Sequence, residues 1–309
     1  MGGPRVAIAP RATTELTGAV VAGGGELVEA TDADAIVWTD PAHPEALTET
    51  LATSPAKWIQ LPFAGVEKFF AAGTIDDAHT WTCAKGIYGP STAEHALTLL
   101  LAAARCLNRH IRSKTWLGKP GRGSPERRLA KATVAIVGGG GIGSSLIEML
   151  RPLGTEVIVV NRSGDTVPGA ARTVSVDSLD EVLGLADFVA IAAAATPETY
   201  RMFNAARFEA MKDDAWLINV ARGSLVDTDD LVDALRAGTI GGAALDVTDP
   251  EPLPDGHPLF DLENAIITPH IANTWDMALP ELAGLVERNV AAFARGEPLE
   301  GLVDPALGY

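Results

Sequence analysis

The sequence runs to 309 residues, 47% hydrophobic and 21% charged, enough for two domain-sized cores and not the composition of a disordered chain. Its 24 basic and 40 acidic residues give a formal charge of −16, which sets nucleic acid and anionic membrane surfaces aside as partners. The start shows no basic-then-apolar leader, the uncharged runs are short for a bilayer span, and two cysteines, Cys83 and Cys106, are too few for a disulfide framework, so a reducing cytoplasm is expected.

Short apolar runs predict strands at Val6–Ala9, Ala35–Thr39, Trp58–Leu61 and Trp81–Ala84, with a helix over Pro44–Thr53. The runs show no clear apolar/polar alternation, which is the pattern of strands buried on both faces. Strands alternating with helices then predict an α/β fold of parallel sheets covered by helices. A long helix is predicted over Thr92–Ile111, followed by the breaker-rich stretch Gly118–Pro125, and the domain boundary is expected there. From Arg105 to Lys131 basic residues outnumber acidic ones nine to one. A second array opens at Thr133. It has strands at Val134–Val137, Val157–Val160, Phe188–Ala192, Trp216–Asn219, Ala243–Val247 and Ala265–Thr268, and helices over Ile142–Leu150, Leu179–Leu185 and Asp229–Ala237. A last helix, Asp276–Arg295, is placed to fold back on the first domain.

The sharpest motif is Gly138-Gly139-Gly140-Gly141-Ile142-Gly143, directly after a predicted strand and before a predicted helix. In that context Gly138 permits a tight turn, Gly140 lets a pyrophosphate approach the backbone, and Gly143 lets helix pack on strand. The helix N-terminus supplies free N–H groups for phosphate. After the next strand, where an acidic residue would bond a ribose 2′-hydroxyl, the chain carries Asn161-Arg162-Ser163. A guanidinium grips phosphate with two charge-assisted bonds, so NADP(H) is the expected preference, with NAD(H) the second choice.

Three further segments end predicted strands: Asn219-Val-Ala-Arg-Gly223, Ala244-Leu-Asp-Val-Thr-Asp-Pro-Glu-Pro252 and Thr268-Pro-His-Ile-Ala272. Ligands of open α/β sheets bind at the carboxyl ends of strands, so Arg222, Asp246, Glu251 and His270 are expected to meet on one edge. The set suits carbonyl reduction. His270 can protonate a developing alkoxide, Glu251 can stabilise the imidazolium, and Arg222 can bind an α-carboxylate and polarise the carbonyl.

Together these segments, with Ala194-Ala-Thr-Pro-Glu-Thr199 and Leu61-Pro-Phe-Ala-Gly65, resemble the D-isomer-specific 2-hydroxyacid dehydrogenase family over nearly the whole chain. The resemblance implies two Rossmann-like domains: a discontinuous, flavodoxin-like substrate domain (1–103 and 274–309) and a dinucleotide-binding domain (104–273). It implies Arg222, Glu251 and His270 as the catalytic group and Asp246 as holder of the nicotinamide carboxamide. Thr92, Gly138, Gly140, Gly141, Ile142, Gly143, Asn161, Arg162, Ser163, Ala194, Pro197, Thr199, Val220, Ala221, Arg222 and His270 would contact cofactor. Phe63, Ala64 and Gly65, with Arg222 and His270, would contact substrate. Trp38, Phe63, Tyr88, Trp116 and Trp275 are the candidate pocket liners, and no metal is expected. Glu251 argues against formate dehydrogenases, which carry Gln there. The expected activity is reduction of a small 2-keto acid, glyoxylate or hydroxypyruvate, to its D-2-hydroxy acid by a homodimer. The basic 105–131 stretch and the apolar Leu99, Ile111 and Trp116 would form the interface. The alternative is a dinucleotide-sensing, corepressor-like binding protein of the same fold.

Overall fold

A computed structural model of the chain describes residues 2–118 and 125–305, so Lys119 and Arg122 of the basic stretch lie outside the described residues. The chain divides into two units, Met1–Tyr88 with Thr274–Tyr309, and Gly89–Asn273. The first boundary therefore falls one helix earlier than the position after 103 expected above.

In the first unit the strands β1 (Arg5–Ala9), β2 (Glu26–Leu27), β3 (Ala35–Trp38), β4 (Trp58–Gln60) and β5 (Thr80–Thr82) form one parallel sheet. Their order, β2-β1-β3-β4-β5, is the flavodoxin-like one. Helices α1 (Thr14–Ala22), α2 (Pro44–Leu51) and α3 (Glu67–Ala71) follow strands of this sheet. The last helix of the chain, numbered α10 (Trp275–Arg295), returns to this unit and packs its Leu282, Leu285, Val286 and Val290 against α1 and the sheet. A buried polar chain fastens it. Asn289 Nδ2 donates to Gln60 Oε1 at 3.0 Å, Thr82 Oγ1 donates to the same oxygen at 2.8 Å, and Trp58 Nε1 donates to Thr82 Oγ1 at 2.8 Å. Each of these buried groups has a partner, as a buried polar group must to avoid its desolvation cost.

In the second unit β6 (Thr133–Val137), β7 (Glu156–Asn161), β8 (Arg172–Ser175), β9 (Phe188–Ile191), β10 (Trp216–Asn219), β11 (Gly242–Leu245) and β12 (Ala265–Ile267) are all parallel, in the order β12-β11-β10-β9-β6-β7-β8. Strand order reverses between β6 and β9, the switch point at which open α/β sheets bind ligands. Helices α4 (Gly89–Ala104) and α6 (Gly141–Leu150) bury Leu99, Leu100, Leu146 and Ile147 against one face. Helices α7 (Leu179–Leu183), α8 (Ala205–Ala210) and α9 (Thr228–Ala237) bury Val182, Phe208 and Leu231 against the other.

Three expectations are corrected. The long helix over Thr92–Ile111 is two helices, α4 and α5 (Leu107–Arg112), broken at Cys106, whose φ is +49°. The new direction is held by side chains, since Asn108 Nδ2 donates to Glu263 O and Arg112 Nη1 to Leu262 O at 2.7 Å. Leu99 is buried in its own unit's core and is no interface residue. Arg127, in the basic stretch assigned to the interface, is engaged within the chain, its guanidinium 3.3 Å from Asp214 and over the Phe188 ring.

Candidate active site

Because every strand of the second sheet runs the same way, the segments after β6, β7, β9, β10, β11 and β12 leave from one edge. That edge carries each expected cofactor and catalytic residue of this unit except Thr92, which is buried in the first turn of α4.

The glycine turn after β6 has the geometry its sequence implied. Gly138 sits at φ +114°, and a Cβ there would meet Ala192 O at 2.4 Å. On Gly143 a Cβ would come within 2.1 Å of Gly138 O, so only glycine lets α6 approach the strand so closely. A Cβ on Gly140, by contrast, would meet nothing within 4 Å. Gly140 caps α6, whose first turn is Gly141, Ile142 and Gly143, and the open space there fits the pyrophosphate of a dinucleotide.

At the end of β7, Asn161 closes a tight turn. Its Oδ1 accepts from Gly164 N at 2.6 Å, and its Nδ2 donates to Asp165 O at 2.8 Å. Ser163 Oγ donates to Asp165 Oδ2 at 2.5 Å. A carboxylate thus stands in this turn, that of Asp165, four residues beyond Asn161. The loop after β9 is closed by Thr199, whose Oγ1 donates to Ala194 O and accepts from Thr196 N, both at 2.8 Å. Glu198 in this loop is held below the usual carboxylate range by the Thr196 hydroxyl and, to a lesser degree, by the Arg162 guanidinium. The charge of Arg162, at the end of β7, therefore reaches the loop after β9.

After β10 the chain turns through Val220, Ala221 and Arg222. Asn219, fully buried, receives Ala221 N on Oδ1 at 3.0 Å and donates from Nδ2 to Arg222 O at 2.8 Å. Arg222 is half-buried, with Nη1 donating to Ala221 O at 2.7 Å. After β12 comes the segment 268–272. His270 Nδ1 lies 2.7 Å from Glu251 Oε1, and both side chains are about half exposed. The Glu251 contact leaves Nε2 as the nitrogen that can face a substrate.

Asp246, at the end of β11, is fully buried and bonded on both carboxylate oxygens. Oδ1 accepts from Thr268 Oγ1 at 2.6 Å and from Ile271 N at 3.0 Å, with His95 Nε2 3.2 Å away, and Oδ2 accepts from Ala272 N at 2.9 Å. Burial alone would raise this carboxyl, but these hydrogen bonds outweigh it and hold the pKa at about 2. His95 and Asn219 carry no role assigned from the sequence, although Asn219 opens one of the segments quoted above. A lone histidine on a helix and an asparagine at a strand end carry no spacing signal of their own.

Phe63, Ala64 and Gly65 lie in the first unit, in the loop after β4, where the Phe63 ring packs on Tyr88 and Trp275 with centroids 5.9 Å away in each case. Of the other candidate liners, Trp38 is buried in that unit's core, whereas Trp116 is 90% exposed. Among the described residues no cluster of His, Cys, Asp and Glu could hold a metal ion, and no helix is long and apolar enough to cross a membrane. Both cysteines are buried and free, and burial pushes the Cys83 thiol up to about 11.

The profile of a family described as D-isomer specific 2-hydroxyacid dehydrogenase, NAD binding domain, matches residues 97–272. An uncharacterised protein in the proB 3′ region of Corynebacterium melassecola is 41% identical over 305 residues, 96% of this chain and 97% of that one. The glyoxylate reductase of Pyrococcus furiosus is 37% identical over 214 residues, which are 67% of this chain and 63% of the relative's length. An NADPH-dependent glyoxylate/hydroxypyruvate reductase from Sinorhizobium meliloti, solved in complex with NADP and sulfate, is similar at a TM-score of 0.81 and 26% identity, covering 99% of this chain and 100% of that one.

Proposed function

The chain belongs to the D-isomer specific 2-hydroxyacid dehydrogenase family, NAD(P)-dependent oxidoreductases, and we propose that it reduces a small 2-keto acid of the glyoxylate or hydroxypyruvate type to the D-2-hydroxy acid, with NADPH preferred over NADH. The observation that carries this reading is the His270–Glu251 pair at 2.7 Å on the edge that also holds the glycine turn and Arg222. The nicotinamide cofactor supplies the hydride. Arg222 binds the substrate carboxylate and polarises the adjoining carbonyl. His270 gives the proton on Nε2 to the carbonyl oxygen as the hydride reaches carbon, and Glu251 holds the Nδ1 proton throughout. Asp246 retains one open lone pair on Oδ2 for the carboxamide. The named activity of the Pyrococcus furiosus and Sinorhizobium meliloti proteins supports the substrate class.

The test is oxidation of NADPH by glyoxylate and by hydroxypyruvate. His270→Gln should lower turnover by on the order of a hundredfold or more, and undiminished turnover in that variant refutes the role. The cofactor preference rests on Arg162. A hydrogen bond to a charged group is worth about 1.5–3 kcal/mol, so Arg162→Ala should weaken NADPH by roughly ten- to a hundredfold and leave NADH nearly unchanged. Equal losses for both cofactors contradict it. We propose further that the protein is a cytoplasmic homodimer.

A further inference from the structure

We infer that His95 is a positioning residue for His270: together with Ser91 it makes one face of α4 a clamp that holds both ends of the segment carrying the catalytic imidazole. The inference deepens the proposed function and rests on it for the role of His270.

His270 has a φ of +53°, in the left-handed region that a residue with a Cβ adopts only when its surroundings impose it. The segment is fixed from below by Asp246. Its backbone carbonyl accepts from His270 N at 2.8 Å, and its carboxylate takes the two N–H groups that follow, Ile271 and Ala272, and the hydroxyl that precedes, Thr268. A donor beside this carboxylate adds to what holds it in place. His95 supplies the donor. Its Nε2 lies 3.2 Å from Asp246 Oδ1 and 3.0 Å from Thr268 Oγ1. Since the Thr268 hydroxyl spends its own hydrogen on Asp246, it faces His95 with a lone pair, and both neighbours of Nε2 are acceptors. Nε2 must therefore carry a hydrogen, directed at Thr268 Oγ1 with Asp246 Oδ1 close by.

Ser91 stands four residues before His95, one turn away on the same face of the helix. Its Oγ donates to Asn273 Oδ1 at 2.8 Å, at the far end of the segment. The near end, Thr268, and the far end, Asn273, are thus tied to one rigid helix, and the strained residue lies between the ties. Neither contact touches the reacting atoms, so His95 acts through Asp246 and Thr268.

The experiment compares His95→Leu with His95→Gln, whose amide can put an N–H where Nε2 stands. Displacement of a catalytic group by about an ångström can cost a hundredfold in rate. With NADPH and glyoxylate, His95→Leu should lower kcat by roughly tenfold or more with KM within about twofold, and His95→Gln should recover most of the loss. Unaltered kcat in His95→Leu, or equal loss in both variants, overturns the inference. A second measurement needs no variant and no cofactor. Ring 15N spectra of the unmutated protein should show His95 with a proton on Nε2, and an unprotonated Nε2 overturns the inference even if the leucine variant fails to fold. Should the unmutated protein reduce no 2-keto acid, the functional reading fails, whereas the 15N result still decides whether the clamp exists.

Discussion

Asp246 concentrates in one residue much of what holds the site together. Its carboxyl is held at about 2, against an ordinary value of 3.8. A carboxyl depressed in the folded state stabilises that state above its unfolded pKa and ceases to as pH falls through its folded one. Asp246 should therefore contribute roughly 2 kcal/mol near neutrality, lost between about pH 4 and pH 2. Urea unfolding at pH 6, 4 and 3 should find Asp246→Asn less stable than the unmutated protein by an amount that shrinks toward acid, and a difference independent of pH would show that charge at this position is not what matters. This arrangement was not legible in the sequence. The motif around Asp246 marked it as functional, but its donors come from a helix far upstream and from backbone N–H groups, and no spacing pattern encodes backbone donors. The His270–Glu251 pair was legible because both residues stand just past apolar runs that had to be parallel strands.

At the scale of elements, the glycine turn separates two demands that one motif makes on its residues. Gly143 is required by packing, since its Cβ would meet the Gly138 carbonyl oxygen, whereas Gly140 borders open space. Gly143→Ala should then destabilise the protein by about 1–3 kcal/mol, as overpacking against backbone does. Gly140→Ala should change stability by less than about 0.5 kcal/mol while weakening dinucleotide binding, because its methyl group would enter the space left for pyrophosphate. Thermal melts with and without cofactor check both, and a melt of Gly140→Ala depressed as far as that of Gly143→Ala would undo the distinction. The same physics explains which strands could be read. Those predicted in the sequence are apolar runs that the sheets bury on both faces, as in β3, β9 and β10. The two that were missed, β2 and β8, are edge strands, and the residues Glu-Leu and Arg-Thr-Val-Ser show no apolar run. The break between α4 and α5 was hidden for a related reason. Helical periodicity continues through it, while the contacts that turn the chain, from Asn108 and Arg112 to carbonyls of 262 and 263, lie far along the sequence.

For the molecule as a whole, an excess of acidic residues coexists with a local apolar surface. Ile111 is 78% exposed and Trp116 90%, and Leu107 and Leu117 beside them are each more than two-fifths exposed. In the proposed homodimer these aromatic and aliphatic side chains, exposed within a short span, would form the association surface. The basic residues around them divide into two groups. Arg112 and Arg127 are spent on the chain's own carbonyls and carboxylates, and Arg105, Arg109 and Arg128 remain to meet the acidic surface of a second copy. The proposed homodimer would thus be held by the apolar residues, with the charges setting register and rate of encounter. In sedimentation at micromolar concentration the unmutated protein should be a dimer. Ile111→Asp combined with Trp116→Ala should shift it to monomer, because the first change buries an unpaired charge and the second removes the largest anchor. Arg128→Glu alone should slow association and reduce its dependence on salt without dissolving the dimer. A monomer in the unmutated protein, or a dimer unaffected by the double substitution, places the association surface elsewhere or removes it.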